Sequence, residues 1–344
     1  MAIFSNTIKE IDVPVYEGYS FETCGHLDAL MESLEDDLAI TKAMHAFDMA
    51  EIEGMRRISA LREAAEETGE DNDEAIENEE AELKTTLEEE SKNIFAKIKE
   101  ALKKLWGKIT AFFGSIFQNL QVFFANGENF IKKNEKAILE AINAADFELK
   151  LTTYNYQFKS IIGTFENKKK SLNGSYNDIN TAINKITKTD NKEEVEKAIE
   201  VLSKKVDGDD KEIEDMKKTT RGISASSEVV ERTEIEITAS FVKDAIDFIK
   251  KSKDSIKTLK EIKKMNDDLF KAAISRIETI EKFNDSESVA AYGANKIKSL
   301  CTSFSSKTTR MANAQLQIVK EATVSAVSIC RKAMAAKGKK EEEK

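Results

Sequence analysis

The chain has 344 residues, with 63 Asp and Glu against 53 Lys and Arg, so its formal net charge is −10 at pH 7. It has one proline and three cysteines. The odd, widely spaced cysteines exclude a disulfide framework and lack zinc spacing, so we expect free thiols in a reducing cytosol. No basic segment followed by an apolar one opens the chain, and no run of 18 strongly apolar residues occurs. We therefore expect neither a secretory signal nor an ordinary transmembrane helix.

The charge divides the chain into an acidic part and a basic part. Residues 1–90 contain 26 acidic and 6 basic residues, whereas residues 91–344 contain 37 acidic and 47 basic residues. Opposite charges on two parts of one chain indicate different partners, or an acidic leader that covers the basic part or is removed from it.

The composition predicts an all-α protein. No proline follows Pro14 to stop a helix, and we find no alternating β-branched run bounded by turn residues. We expect long antiparallel helices in an elongated bundle, with an extended N-terminal arm. The predicted segments are the arm 1–22, an acidic helical leader 23–90, an amphipathic aromatic and basic helix 91–132, a helical bundle 133–336 and a disordered tail 337–344.

Finer element boundaries follow from the apolar periodicity and the turn residues. The leader helix begins near Thr23, and residues 69–72 break it. The remaining elements are expected as helices at 128–170, 176–188, 191–206, 209–220, 228–283 and 286–336, a turn at 173–175, a connector at 222–227 and a reversal at 284–286.

The aromatic helix is the strongest candidate for an interaction site. Its apolar residues recur at helical spacing, with lysines on or beside the other face. This aromatic stripe consists of Phe95, Ile98, Leu102, Leu105, Trp106, Ile109, Phe112, Phe113, Ile116, Phe117, Leu120, Phe123 and Phe124. It is typical of a helix packed in a bundle core, of a helix inserted at a membrane surface, or of a self-association helix. The acidic residues 63–90 would shield this helix by folding back on it, or deliver it by being cut away.

No pattern of catalytic, cofactor-binding or metal-binding residues is found. His26 and His45 have no Cys or carboxylate partners at ligand spacing, and no phosphate-binding loop or nucleophile motif occurs. We therefore expect a protein that is not an enzyme and has no cofactor. The lysine pairs of the basic body are dispersed, so any DNA contact would be to phosphates and independent of sequence.

Three segments together resemble virion proteins of large tailed bacteriophages. They are Val13-Pro-Val-Tyr-Glu-Gly18, the acidic Leu34-Glu-Asp-Asp-Leu38 and the amphipathic block Ile94–Phe113, so the resemblance covers residues 10–125. It implies a virion location after synthesis in the host cytoplasm, with other virion proteins or a second copy as partners. Phages of this kind often remove acidic leaders by cutting after Glu in a Leu/Ile-x-Glu pattern, which Glu63 and Glu89 fit.

The sequence therefore predicts a non-enzymatic virion component, internal to the head or structural, that assembles through helix packing. The alternative is a membrane-active helical protein of the ejection or pore-forming type that inserts residues 92–131.

Overall fold

The structure, a computed structural model, describes residues 24–68, 73–144, 147–186, 210–282 and 287–342. Within these ranges the chain forms seven helices and two short strands. In chain order they are α1 (Cys24–Thr68), α2 (Asp73–Ile142), β1 (Lys150–Thr153), α3 (Phe158–Ile186), α4 (Asp210–Thr220), β2 (Thr233–Glu236), α5 (Ala239–Lys251), α6 (Asp254–Lys282) and α7 (Glu287–Glu342). The predicted all-α helical bundle is confirmed.

The long helices pack side by side in alternating directions. At 1.5 Å per residue, the 70 residues of α2 span about 105 Å. Helices α5 and α6 follow one another along α2 and run antiparallel to it, as the ion pairs Glu135–Lys250 and Lys99–Glu281 show. Helix α7 packs against α2, α5 and α6, and it runs antiparallel to α5 and α6 and parallel to α2. One continuous hydrophobic core extends through all of these helices.

Helices α1 and α2 form an antiparallel hairpin. Arg57 pairs with Glu79 at 2.7 Å and Arg62 with Glu80 at 2.8 Å, close to the turn between the helices. Gly54 is buried against Leu83, which lets the two helices approach closely. The buried face of α1 consists of Ile40, Ala43, Phe47 and Ile58.

Strands β1 and β2 form a small antiparallel sheet at one side of the bundle. Leu151 pairs with Ile235, and the N–H of Ile237 donates to the carbonyl of Leu149 at 2.7 Å. The strands were not predicted, although residues 147–151 alternate apolar and polar side chains as a half-buried strand does.

Several predicted boundaries are confirmed. Helix α1 begins at Cys24 and ends at Thr68, α2 begins at Asp73, and α4 covers Asp210–Thr220. Residues 222–227 form a non-helical connector, and α7 begins within one residue of its expected start. Four further predictions lie outside the described residues: the arm 1–22, the break 69–72, the helix 191–206 and the reversal 284–286.

Other predicted boundaries are wrong. The expected helix 128–170 is divided by β1, and the expected turn at residues 173–175 lies inside α3, because the flanking Leu172 and Ile179 pack in the core. The expected helix 228–283 is a strand and two helices. The tail expected to be disordered is helical through Glu342.

Candidate functional site: helix interaction surfaces

The aromatic stripe of α2 lies in the core of the bundle. Eight of its side chains are buried, and they are Phe95, Ile98, Leu102, Ile109, Phe113, Ile116, Leu120 and Phe124. The other five are half-buried against the same core, and they are Leu105, Trp106, Phe112, Phe117 and Phe123. Helix α2 packs along α6 and α7 over this length. The structure thus places the aromatic stripe in the bundle core, as the first of its three interpretations expected.

Trp106 contacts α6 through its ring and through its N–H group. Its Nε1 donates to Oδ1 of Asp267 at 2.8 Å, and its ring stacks on Phe270 with centroids 6.3 Å apart. The ammonium of Lys271 lies 5.9 Å from the ring centroid. A half-buried tryptophan is stabilised by such a combination of apolar contact and a satisfied N–H. Exposing Trp106 to a membrane would require these contacts to break.

The lysines of α2 face carboxylates from two neighbouring helices. Lys99 Nζ lies 2.6 Å from Glu281 of α6, and Lys104 Nζ lies 3.5 Å from Asp36 of α1. Hydrogen bonding to Glu100 on α2 and the charge of Asp36 raise the pKa of Lys104. Part of the acidic leader therefore does lie beside the basic helix, at the N-terminal half of α1.

The predicted shielding by residues 63–90 is wrong in its geometry. Residues 73–90 are the first turns of α2 itself and continue into the aromatic stripe without a break. A straight helix cannot fold back on its own next turns, so these residues cannot cover the stripe. Helix α1, together with α6 and α7, covers it instead.

Helix α1 carries a second apolar surface on the side opposite its buried face. We call this surface the α1 outer face, and it consists of Leu38, Met49, Ile52 and Met55. These side chains are 41–59% exposed, and they are four of the seven large hydrophobic residues exposed in the described part of the chain. Scattered exposed apolar residues are ordinary, but a concentration on one helix marks a contact surface.

The two candidate cleavage residues lie within helices. Glu63 is exposed in the last turns of α1, and Glu89 is exposed well inside α2. Proteases act on locally unfolded backbone, so a cut at either residue requires local opening of its helix. Glu63 is closer to a helix end, where opening costs less.

A polar cluster that the sequence analysis missed joins α7 to the sheet region. Tyr156 Oη donates to Oε1 of Glu321 at 2.6 Å, and Arg221 Nη2 donates to Oε2 at 2.7 Å. Burial, then the bond to Glu321, raises the pKa of Tyr156. The guanidinium groups of Arg221 and Arg232 lie 5.0 Å and 5.5 Å from the ring centroid of Tyr154. The cluster pairs Glu321 with Arg221 and Tyr156, although Nε of Arg221 is buried without a hydrogen-bond partner in the described part of the chain. It links α7 to the segments that flank β1 and β2, as a structural network does.

Many lysines of the basic body are engaged within the chain. Lys168, Lys250 and Lys263 form ion pairs at 2.5–2.9 Å. Lys218 donates to the carbonyl oxygens of Ala225 and Ser227. These contacts reduce the positive charge that is free to meet DNA phosphates, and Lys204 and Lys205 lie outside the described residues.

Cys301 and Cys330 are buried free thiols, and burial raises the pKa of both, that of Cys330 to about 12. In the described ranges no cluster of three or more His, Cys, Asp or Glu residues is placed to hold a metal ion. No described helix is long and apolar enough to cross a membrane. His45 is exposed on α1, and the side chain of His26 lies outside the described residues.

Comparison with known proteins gave no match to a family model, to a curated protein or to a solved structure. The functional interpretation therefore rests on the resemblance of residues 10–125 and on the surfaces described above.

Proposed function

We propose that this chain is a non-enzymatic structural or internal component of a tailed-bacteriophage virion, and that it assembles through helix packing. The observation that carries the assembly part is the α1 outer face. Helix α1 already buries one apolar face against α2. The apolar face on its opposite side would be buried if α1 packed against a further surface. The virion part is supported by the resemblance of residues 10–125 to phage virion proteins.

The proposal includes removal of the acidic leader. A cut after Glu89 would remove α1, so the α1 outer face would act during assembly, before the cut. The remaining body would have nine more basic than acidic residues. Such a body suits a location beside packaged DNA, where its remaining exposed lysines would contact phosphates without sequence preference. A cut after Glu63 would leave the start of α2 and its acidic residues in place.

Mass spectrometry of purified virions from the phage that encodes the chain tests both parts. We expect the protein among the virion components, with an N-terminus directly after Glu63 or Glu89. An intact end at Met1 or Ala2 would contradict leader removal and leave the structural role standing. Presence in infected cells but not in virions would contradict the virion assignment.

The alternative function is membrane insertion of residues 92–131. In this fold it would cost the free energy of taking buried side chains out of the core. The eight buried side chains of the aromatic stripe must leave the core, and each loses about 1.5–3 kcal/mol of burial energy until it reaches lipid. We rank this alternative second for that reason, and dye release from anionic vesicles separates the two functions.

A further inference from the structure

Helix α7 carries nearly all of the surplus positive charge of the body that follows the acidic leader. Residues 288–340 contain ten basic residues and one acidic residue, whereas residues 91–287 contain 36 basic and 33 acidic residues. The acidic residue, Glu321, accepts hydrogen bonds from Arg221 at 2.7 Å and from Tyr156 at 2.6 Å, so its charge is already compensated. The surplus therefore belongs to α7 and not to the dispersed lysine pairs of the other helices.

One face of α7 is polar and accessible over most of the helix. From residue 296 to residue 332 its positions recur every three or four residues, and each side chain is exposed or half-buried. We call this surface the α7 basic face. It consists of Lys296, Lys307, Arg310, Lys320 and Lys332, with three serines, an asparagine, a glutamine and Val324 between them. No carboxylate lies on this face.

Four lysines of the α7 basic face form no ion pair within the described part of the chain. They are Lys296, Lys307, Lys320 and Lys332. Burial lowers the pKa of Lys320, which is half-buried on this face. An anion from outside the chain would stabilise the charged form of these lysines, because a nearby opposite charge offsets the loss of water.

The lysines are spaced along α7 at intervals that match the strands of a DNA duplex. Successive lysines of the face are 11, 13 and 12 residues apart. At 1.5 Å per residue these intervals are about 16–20 Å. A line along the surface of B-DNA crosses each of the two strands once in a turn of about 34 Å, so it meets a phosphate backbone about every 17 Å on average. A helix that lies along the duplex would bring each lysine close to a phosphate backbone.

The uncharged residues of the face also suit a phosphate backbone better than a lipid surface. Serine, asparagine and glutamine side chains donate hydrogen bonds to phosphate oxygens in protein–DNA complexes. A helix that inserts at a lipid surface needs a large apolar side, and the apolar side of α7 is buried in the bundle core. Val324 is the one large apolar residue that the α7 basic face offers.

We propose that the α7 basic face binds the phosphate backbone of double-stranded DNA without sequence preference. This inference rests on the DNA contact included in the proposed function, and it names the surface that makes the contact. The face belongs to the body that remains after removal of the leader, so its role does not depend on whether the leader is cut.

Charge removal in the full chain tests the proposal. We expect the chain to bind a fluorescent duplex of about 30 base pairs and arbitrary sequence, measured by anisotropy between about 50 and 200 mM salt. Lys307→Gln, Lys320→Gln and Lys332→Gln together should reduce the slope of log K against log salt by about 2.7, because three phosphate contacts are lost. The Kd at about 50 mM salt should rise more than tenfold.

A matched triple variant controls for net charge. Lys133→Gln, Lys170→Gln and Lys264→Gln remove the same charge at exposed positions on α2, α3 and α6. This control should keep the salt slope and change Kd by less than about threefold, since it alters only the field of the whole protein. Circular dichroism checks that both triple variants stay folded. If the first does not, Lys332→Gln alone, at an exposed position, should reduce the slope by about 0.9.

Three results overturn the inference. A full chain that does not bind the duplex at low salt does so, as does a variant of the α7 basic face that binds as tightly as the control. Binding to vesicles of phosphatidylcholine and phosphatidylserine but not to the duplex also does so, and identifies a lipid surface as the partner. A chain that binds DNA through α7 but is absent from virions contradicts only the virion assignment. A virion protein that does not bind DNA contradicts only this inference.

Discussion

At the residue scale, the interface between α6 and α7 contains polar side chains in two different states. Asn266 is fully buried and bonded through both side-chain atoms, since Nδ2 donates to Thr308 at 2.9 Å and Oδ1 accepts from Ser305 at 3.0 Å. Gln315, further along α7, is 1% exposed, and neither its Nε2 nor its Oε1 has a hydrogen-bond partner in the described part of the chain. Buried polar groups stabilise a core only when they are satisfied, so the same substitution should act in opposite directions at these two positions.

We predict that Asn266→Leu lowers the free energy of unfolding by about 2–4 kcal/mol, because it leaves the Ser305 hydroxyl buried without its acceptor. Gln315→Leu should raise that free energy by about 1–2 kcal/mol, because it removes two unpaired polar atoms and keeps the volume. Urea denaturation followed by circular dichroism measures both. Equal destabilisation by the two substitutions would show that Gln315 is satisfied in solution.

Tyr156 allows a pH prediction whose sign follows from its raised pKa. A tyrosine that titrates at higher pH in the folded state keeps its full stabilisation below its unfolded pKa of about 10, and loses it as pH rises above that value. Tyr156→Phe removes the bond to Glu321 and should cost about 1.5–3 kcal/mol at pH 7.5. The stability difference between the two proteins should shrink at pH 11. A difference that grows with pH would contradict the assigned environment.

At the scale of the element, the sequence predicts helices well where apolar periodicity is long and uninterrupted. The leader helix beginning near Thr23 and the helix 286–336 correspond to α1 and to most of α7, and the bundle core was one of the three interpretations of the aromatic stripe. The turn predicted at residues 173–175 is wrong, because the packing of neighbouring side chains can override the turn preference of an Asn-Gly pair. In α3, Leu172 and Ile179 are buried on either side and hold the backbone helical.

The break between α5 and α6 could not be predicted from turn residues, because neither glycine nor proline marks it. Ser252 ends α5, with its hydroxyl donating to the carbonyl of Ile249 at 2.8 Å. The hydroxyl of Ser255 donates to the carbonyl of Ser252 at 2.6 Å. These local bonds replace the regular helical ladder in a tight turn that buries both serines. The exposed apolar face of α1 was not predicted either, because it can be distinguished from the buried face only once the position of α2 is known.

The α1–α2 hairpin depends on close contact at one glycine. A Cβ at Gly54 would overlap with Leu83 Cδ1, whereas a Cβ at Gly107 would meet no atom within 4 Å. We predict that Gly54→Leu destabilises the hairpin by about 1–3 kcal/mol through overpacking. The matched Gly107→Leu should stabilise α2 by up to about 0.8 kcal/mol through helix propensity. Thermal denaturation of both variants checks this, and a stable Gly54→Leu protein would show that the Leu83 side chain or the two helices shift at little cost.

At the scale of the whole molecule, the bundle determines which proposed function is accessible. Every residue of the aromatic stripe is buried in the bundle core or packs against it. The lysines that would meet anionic lipid are partly paired with α1 and α6. Membrane activity therefore requires the bundle to open first, and its extent should follow the stability of the bundle. A structural role in the virion does not require the bundle to open.

Dye release from anionic vesicles separates these two possibilities. We predict that the full chain releases no dye, and that Asn266→Leu, which loosens the α6–α7 interface, releases none either at a temperature where it stays folded. A synthetic peptide of residues 92–124, which has no bundle to pack against, should bind the same vesicles through its amphipathic face and serves as the positive control. Gln315→Leu serves as the opposite control, because a tighter bundle would suppress any release that depends on opening. Release that rises from Gln315→Leu through the wild type to Asn266→Leu would identify insertion of the aromatic stripe as the function and displace the structural role.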